Sequence, residues 1–154
     1  MSDYKHILVP TDFSEPANQA VQTAAELARR FDAELHILHV MAPHMHYVET
    51  PEMMLPPLED FTEEMRATSQ RKLDELVTDA GTGIEVHAYL EESAEHAADV
   101  IVKFAGKLVA DLIVVGSHGH TGLLHVLLGS TAERVVRESH CPVLVTKPTP
   151  EEQT

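Results

Sequence analysis

The feature that most constrains the fold is a series of five short apolar runs, separated by longer stretches with helical periodicity. The last run but one, Leu112-Ile113-Val114-Val115, is the most strand-like, because β-branched side chains pack well on a pleated sheet. Each run is short enough for a strand and too short for an ordinary helix. The pattern predicts five strands, at residues 5–10, 35–40, 84–90, 112–115 and 142–146.

The stretches between the runs carry apolar residues at steps of three and four, which indicates amphipathic helices. Ser14 is the expected N-cap of the first helix, and Ser93 that of the third, whose apolar stripe begins at Ala94. Further helices are predicted over residues 58–80 and 130–139. The proline-rich residues 41–57 predict a long surface loop, whose methionines would form a partner surface or cover a pocket edge.

Alternating strands and helices predict an α/β fold, in which a mostly parallel sheet carries helices on both faces. Ligands bind such sheets at the carboxyl ends of the strands, where the strand order reverses. The segments at those ends begin near Pro10, Val40, Leu90 and Gly116. We therefore expect a binding site to be assembled from these segments.

Length and composition indicate one domain over residues 1–147, followed by a polar tail at 148–154. The formal net charge of −14 disfavours nucleic acid and anionic membranes as partners. No apolar run has the roughly 20 residues that would span a bilayer. The polar start and the single cysteine, Cys141, predict a cytoplasmic protein.

A glycine-rich segment follows the fourth strand and leads into the last helix. Glycine lets the backbone approach a ligand closely, and the N–H groups at a helix start favour an anion. The segment predicts a phosphate cradle, although the same glycines could simply end a strand and start a helix. It is not a Walker P-loop, which needs a lysine where Ser130 follows Gly129, nor the dinucleotide fingerprint, which would follow the first strand.

Several motifs in this order resemble the universal stress protein family, and the likeness covers nearly the whole chain. The spacing Gly116-x2-Gly119-x9-Gly129-Ser130 is similar to the ATP-binding signature of that family. The opening residues 7–14, the segment 111–119 and the close at 141–145 resemble it as well. The resemblance implies a five-stranded parallel sheet in the order 3-2-1-4-5, homodimers joined through the last strand at residues 143–146, and the ATP-binding subclass.

The resemblance also implies a site for ATP and Mg²⁺. The first-strand end and the backbone of the second-strand end would border adenine and ribose, the first glycine pair would face ribose and phosphates, and the second glycine segment would hold phosphates bridged by Mg²⁺. No protein side chain is assigned to the metal. The residues concerned are Pro10, Thr11, Asp12, Val40, Gly116, Ser117, His118, Gly119, His120, Gly129, Ser130 and Thr131.

Two departures from the family pattern bear on phosphate binding. His120 stands where the family often has Lys or Arg, so Mg²⁺ and backbone amides have more charge to neutralise at neutral pH. Glu91 and Glu92 replace a glycine-containing turn after the third strand and would repel phosphate if they pointed inward.

Other polar side chains permit two interpretations. Asp12 would bond ribose or a metal-bound water, or cap its own turn, and we favour the ligand. Ser117 could accept a phosphoryl group, but we favour a hydroxyl that only forms hydrogen bonds. Loose histidine pairs lack a diagnostic zinc spacing, His36 and His39 are expected to be packed strand residues, and Cys141 a small apolar residue.

Three functions remain open at this level. The first is a regulator whose ATP occupancy shifts dimer or partner affinity. The second is a slow ATPase or nucleotide-transfer enzyme, for which His118 and His120 are the candidate catalytic groups. The third is a nucleotide-free dimeric interaction module. The lack of a Walker lysine, an arginine finger and a clear water-positioning base favours at most slow hydrolysis.

Overall fold

The computed structural model describes residues 3–42, 58–118 and 128–148. Within these ranges strands and helices alternate along the chain, as the apolar pattern predicts. The elements are β1 (His6–Pro10), α1 (Glu15–Phe31), β2 (Glu34–Met41), α2 (Leu58–Ala80), β3 (Val86–Glu92), α3 (Ala97–Leu108), β4 (Leu112–Gly116), α4 (Ser130–Glu138) and β5 (Val143–Thr146).

The five strands form one parallel sheet in the order β3-β2-β1-β4-β5. This confirms the α/β fold and the strand order that the family resemblance implies. The central strand β1 is fully buried at Ile7, Leu8 and Val9, as expected for a strand covered on both faces. The chain builds one side of the sheet from β1 outward and then crosses to β4. This reversal leaves a crevice at the carboxyl edge, between β1 and β4.

Side chains of β1 point alternately into two hydrophobic cores. Ile7 and Val9 pack with α1 and α2, where the alanines of α1 allow a close approach to the sheet. Leu8 packs on the other face with Ile101 of α3 and Val135 of α4. Each such buried side chain contributes about 1.5–3 kcal/mol relative to an exposed one. The two cores therefore hold both helix layers at fixed positions around the carboxyl edge.

The predicted cap of α1 is confirmed, whereas that of α3 is wrong. Ser14 Oγ accepts a hydrogen bond from the N–H of Ala17 at 3.3 Å. α3 instead begins after His96, whose Nδ1 accepts from the N–H of Ala98 at 3.1 Å. Ser93 is still tied to β2 by a backbone bond to Met41 O, so the chain needs a further turn before the helix starts.

The third strand begins and ends two residues later than predicted, at Val86 and Glu92 rather than at 84 and 90. β2 extends to Met41 and offers backbone partners to Glu91 and Glu92, so pairing outlasts the apolar run. The described helices include none that is long and apolar enough to cross a membrane. The loop predicted from residue 41 starts later, because Met41 still belongs to β2. Its residues 43–57, and the tail from 149 onward, lie outside the described residues.

Candidate functional site

A cavity of about 250 Å³ opens at the carboxyl edge of the sheet, where the strand order reverses. Its walls come from the ends of β1, β2 and β4 and from the first turns of α1, α3 and α4. Of the twelve residues predicted for the site, Gly119 and His120 lie outside the described residues. The structure brings the other ten together in this cavity: Pro10, Thr11, Asp12, Val40, Gly116, Ser117, His118, Gly129, Ser130 and Thr131.

The turn after β1 is fixed by its own side chains. Thr11 Oγ1 accepts from the N–H of Phe13 at 3.0 Å, and Asp12 Oδ1 accepts from the N–H of Ser14 at 3.0 Å. The Ser14 hydroxyl also donates to Asp12 Oδ1. Phe13 has a φ of 64°, a conformation that non-glycine residues rarely adopt. Asp12 thus caps its turn and lines the cavity, so both interpretations of this carboxylate are compatible.

His39 supports the same turn from β2, a role that the sequence did not reveal. Its Nδ1 lies 2.8 Å from Thr11 O, and its ring lies 4.4 Å from that of Phe13. Burial lowers the pKa of His39, although the bond to Thr11 acts in the opposite direction. The neutral imidazole donates its Nδ1–H to the Thr11 carbonyl and so positions the residue beside Asp12.

The glycines on the other side of the cavity are required by close backbone contacts. A Cβ on Gly116 would lie 3.2 Å from Pro16 O, and one on Gly129 would lie 3.3 Å from Ser117 O. The N–H of Gly129 donates to Ser117 O at 2.6 Å, which brings the two glycine segments together. At these distances a side chain at either glycine requires the facing backbone to shift by a few tenths of an ångström.

The N-terminus of α4 supplies donors at this wall. Gly129 is the N-cap and offers no side chain to the first N–H groups, which have no acceptor inside the helix. Those N–H groups and the helix dipole favour an anion. The cavity-lining residues that the structure describes include no Lys or Arg, so backbone donors are the main attraction for negative charge here.

The remaining walls are apolar and were not singled out from the sequence. Leu38 and Ile101 are fully or almost fully buried, and they form one wall with Val40. Only their positions in the sequence could have identified them as lining residues, because Leu38 belongs to a strand, and Ile101 to an apolar stripe, that reaches the carboxyl edge. Small residues complete this surface, namely Ala17, Ala97 and Ala132, with Val115. The cavity therefore combines apolar side chains with backbone donors.

The remaining polar candidates lie in different surroundings. Neither Glu91 nor Glu92 lines the cavity, and Glu92 accepts a hydrogen bond from Arg66 at 2.8 Å. Ser117 is buried, and its Oγ lies 2.9 Å from Nδ1 of His118. Cys141 is half-buried against the second core, as expected of a small apolar residue. The loose histidine pairs each include residues outside the described ranges, namely His44, His46 and His120.

Comparison with known proteins agrees with this architecture. A family model for the universal stress protein family matches residues 3–147. Universal stress protein MJ0531 of Methanocaldococcus jannaschii is 36% identical over 144 residues, which cover 94% of this chain and 82% of that protein. The structure of MJ0577 from the same organism aligns with a TM-score of 0.82 and 30% identity, covering 97% of this chain and 99% of that one. A universal stress protein in complex with cAMP aligns with a TM-score of 0.71 and 25% identity, covering 96% and 100% of the two chains. The chain belongs to the universal stress protein family.

Proposed function

We propose that the carboxyl-edge cavity binds an adenine nucleotide, specifically ATP with Mg²⁺, and that the protein acts as a cytoplasmic regulator. The observation that carries the proposal is that one cavity combines apolar side chains with the backbone donors at the start of α4. A nucleotide combines a planar base with an anionic phosphate chain. The cAMP complex of a structural relative supports this choice of ligand class.

In this arrangement Val40 and the turn at residues 10–12 border the base and ribose. The Asp12 carboxylate, which lines the cavity, would accept hydrogen bonds from ribose hydroxyls. The N–H groups at the start of α4, beyond Gly129, meet the phosphates. Ser117 and His118 also line the cavity.

The donors around the cavity suit a hard divalent cation held by the phosphates. Asp12 is the only carboxylate among the described cavity-lining residues, and hydroxyls of Ser130 and Thr131 lie on the phosphate side. Mg²⁺ prefers oxygen ligands and usually binds through one or two carboxylates together with substrate phosphates. With no described Lys or Arg in the lining, the ion would supply the positive charge that the side chains do not.

Two hydrogen bonds provide a route from the cavity to the sheet edge. The N–H of Gly129 donates to Ser117 O at 2.6 Å, and the N–H of Ser117 donates to Thr146 O at 2.8 Å. Thr146 ends β5, which is an edge strand of the sheet. A ligand that fixes the glycine segment also fixes this end of β5. The ligand shifts the equilibrium between monomer and dimer at that edge only as far as its affinities for monomer and dimer differ.

β5 is our proposed homodimer contact. Among the described strands β5 pairs only with β4, and Leu144 is 40% exposed. Val136 of α4 is 45% exposed. A second copy pairing along β5 would cover an edge that proteins otherwise protect.

The direct test is the nucleotide content of the purified protein, followed by ATP titration with and without Mg²⁺ in a calorimeter. Gly129→Val should weaken binding by roughly 100-fold, because it removes one or two charge-assisted hydrogen bonds worth about 1.5–3 kcal/mol each. Gly106→Val is the matched control, since a Cβ at Gly106 meets nothing within 4 Å. Unchanged ATP binding in Gly129→Val would overturn the site. No binding by the unmodified protein would leave the nucleotide-free interaction module as its function.

The regulatory part needs a separate experiment. Sedimentation velocity should show a dimer whose dissociation constant changes when ATP and Mg²⁺ are added. Leu144→Asp should give monomers, because it places a charge in the apolar contact, and its ATP affinity should differ from that of the dimer by the factor by which ATP changes the dimer constant. If the dissociation constant of the dimer is the same with and without ATP, the regulatory role is wrong, although the binding site stands.

A slow ATPase is the second candidate, favoured by the 2.9 Å contact between Ser117 Oγ and His118 Nδ1. An imidazole in this position could accept a proton from the hydroxyl or from a water. His118→Ala should then lower the rate of phosphate release at saturating ATP. A rate that stays unchanged in His118→Ala would exclude this pair from any chemistry.

A further inference from the structure

A second cluster of polar side chains lies at the amino edge of the sheet, at the opposite end from the cavity. His6 on β1 is the register partner of Glu34 on β2, and His36 lies two residues further along the same face of β2. Glu34 Oε2 lies 3.2 Å from His6 Nδ1 and 3.3 Å from His36 Nε2. The two ring nitrogens are 3.3 Å apart. Three potential ligand atoms thus form a nearly equilateral triangle.

The triangle has the size of one face of a tetrahedral coordination sphere. Zn²⁺ binds histidine nitrogen and carboxylate oxygen at about 2.0–2.2 Å, so neighbouring ligand atoms of a tetrahedral site are about 3.3–3.5 Å apart. The atoms of His6, Glu34 and His36 come within 0.2 Å of this range without any rearrangement, at 3.2–3.3 Å.

Hydrogen bonds account for two of the three contacts. Ionised Glu34 is only an acceptor, and each of the two facing ring nitrogens carries at most one hydrogen, which it can donate to Glu34 Oε2. The two ring nitrogens then face each other at 3.3 Å with no acceptor between them. A cation at the centre accepts a lone pair from His6, Glu34 and His36 at once.

His36 has the supporting contact that a metal ligand requires. Its ring is buried, with 3% exposure, and its other nitrogen, Nδ1, lies 3.0 Å from the hydroxyl of Tyr89. When Nε2 is a ligand, Nδ1–H donates to that hydroxyl oxygen, which fixes the tautomer and the ring plane. Burial and the nearby His87 lower the pKa of His36, although Glu34 acts in the opposite direction.

The surroundings provide an acidic entry path. The cleft beside His6 is lined by Asp32, Glu34 and Glu85, together with Lys5. Glu34 also belongs to an adjoining group with Glu85 and His87, in which His87 Nε2 lies 2.9 Å from Glu85 Oε1. Three carboxylates around one cleft attract a divalent cation and disfavour an anion.

We propose that His6, Glu34 and His36 form a Zn²⁺ site, with three protein ligands and a fourth position open to water. The mixture of imidazole and carboxylate suits zinc better than Mg²⁺ or Ca²⁺, which take oxygen ligands. The ion joins β1 to β2 at the amino edge. It does not depend on the nucleotide cavity, because its ligands lie at the other end of the same strands.

Metal binding should be measured on protein that has been treated with chelator and then dialysed. Co²⁺ replaces Zn²⁺ in such sites, and its visible absorption is strong only when few ligands surround it. We expect a strong visible band from the unmodified protein, reversed by added Zn²⁺, and loss of one equivalent of bound Zn²⁺ in Glu34→Gln and His6→Asn. Zinc affinity should fall by more than about 100-fold, since even loss of a supporting contact costs 10–100-fold.

The control variant is His140→Asn, which removes an exposed histidine outside the cluster. This variant should retain the Co²⁺ band, which would show that loss of an unrelated histidine does not abolish binding. Glu34 and His6 are each 37% exposed, so their substitution leaves the buried core intact, and circular dichroism verifies folding. Tyr89→Phe should weaken Zn²⁺ by about 10-fold while keeping the band, because it removes only the supporting hydroxyl. Equal zinc stoichiometry and affinity in the unmodified protein and Glu34→Gln, or no bound ion in either, would overturn the proposal.

Discussion

The two edges of one sheet present opposite chemistry. At the carboxyl edge, the glycine segments and the start of α4 present backbone N–H groups, and the described lining contains no Lys or Arg. At the amino edge, imidazole nitrogens and carboxylate oxygens meet in a cleft lined by three carboxylates. The first edge is arranged for an anion and the second for a cation.

The difference follows from the direction of the helices. In a parallel sheet with helical crossovers, each helix runs back against the strands, so helix N-termini collect at the carboxyl edge. Helix C-termini collect at the amino edge, where α1 and α2 end just before Glu34 and Glu85. The helix dipole adds partial positive charge to the first edge and partial negative charge to the second. The carboxylates at the amino edge act in the same direction as the backbone, whereas at the carboxyl edge the described lining offers Asp12 and no Lys or Arg side chain, so the backbone donors act alone.

The strongest test of this comparison measures the binding of both ligands to two variants, one altered at each edge. Gly129→Val should bind ATP roughly 100-fold more weakly and bind Zn²⁺ as before, because only the backbone at the carboxyl edge is disturbed. Glu34→Gln should bind Zn²⁺ more than about 100-fold more weakly and bind ATP as before. Calorimetric titration of both ligands into both variants measures all four combinations. A variant that lost both ligands at once would mean that the two edges do not act separately.

The next effect concerns the turn that positions Asp12. Ser14→Ala removes the α1 cap and the hydroxyl bonded to Asp12, and should cost about 1 kcal/mol of unfolding free energy. ATP binding should weaken by a few-fold, because the carboxylate is less well held, while Zn²⁺ binding stays the same. Ser93→Ala is the matched control, since Ser93 Oγ accepts only an exposed turn bond from Glu95. Urea unfolding of both variants gives the comparison, and equal losses would contradict the capping role.

A pH-dependent loss of stability should come from His39 at the carboxyl edge. Its pKa is lowered in the folded state, chiefly by burial, so the unfolded chain binds the proton more readily. Stability is therefore present above the unfolded pKa of about 6.5 and falls as pH decreases through that value. His39→Gln keeps a donor for Thr11 O and removes the titration. Urea unfolding at pH 7.5 and 5.5 should show a smaller loss in the variant, and identical losses would exclude His39.

The smallest effect is expected at Glu92, which the sequence left open as a source of phosphate repulsion. The carboxylate is 37% exposed and pairs with Arg66, so the pair contributes about 0–1 kcal/mol. Glu92→Gln should leave ATP affinity unchanged, because Glu92 does not line the cavity. Tighter ATP binding in this variant, measured at low salt, would show that the carboxylate reaches the phosphates.

Most of the fold was predictable because its signals are local. Short apolar runs and helical stripes predict the alternation of strands and helices, and Ser14 predicts one cap. The errors arise where backbone distant in sequence determines the end of a strand or the start of a helix. β3 continues to Glu92 because β2 provides partners, and His96 caps α3 because Ser93 remains bonded to Met41. No local pattern contains those partners.

The sequence by itself determined the family, the fold and the carboxyl-edge residues, because strand ends and glycine spacing are read along one stretch of chain. Only the tertiary structure decided which apolar side chains wall the cavity and which polar groups meet at the amino edge. His6, Glu34 and His36 come together through the register of β1 on β2. Register depends on side-chain packing over the whole sheet, and a shift by one residue would turn His36 to the opposite face.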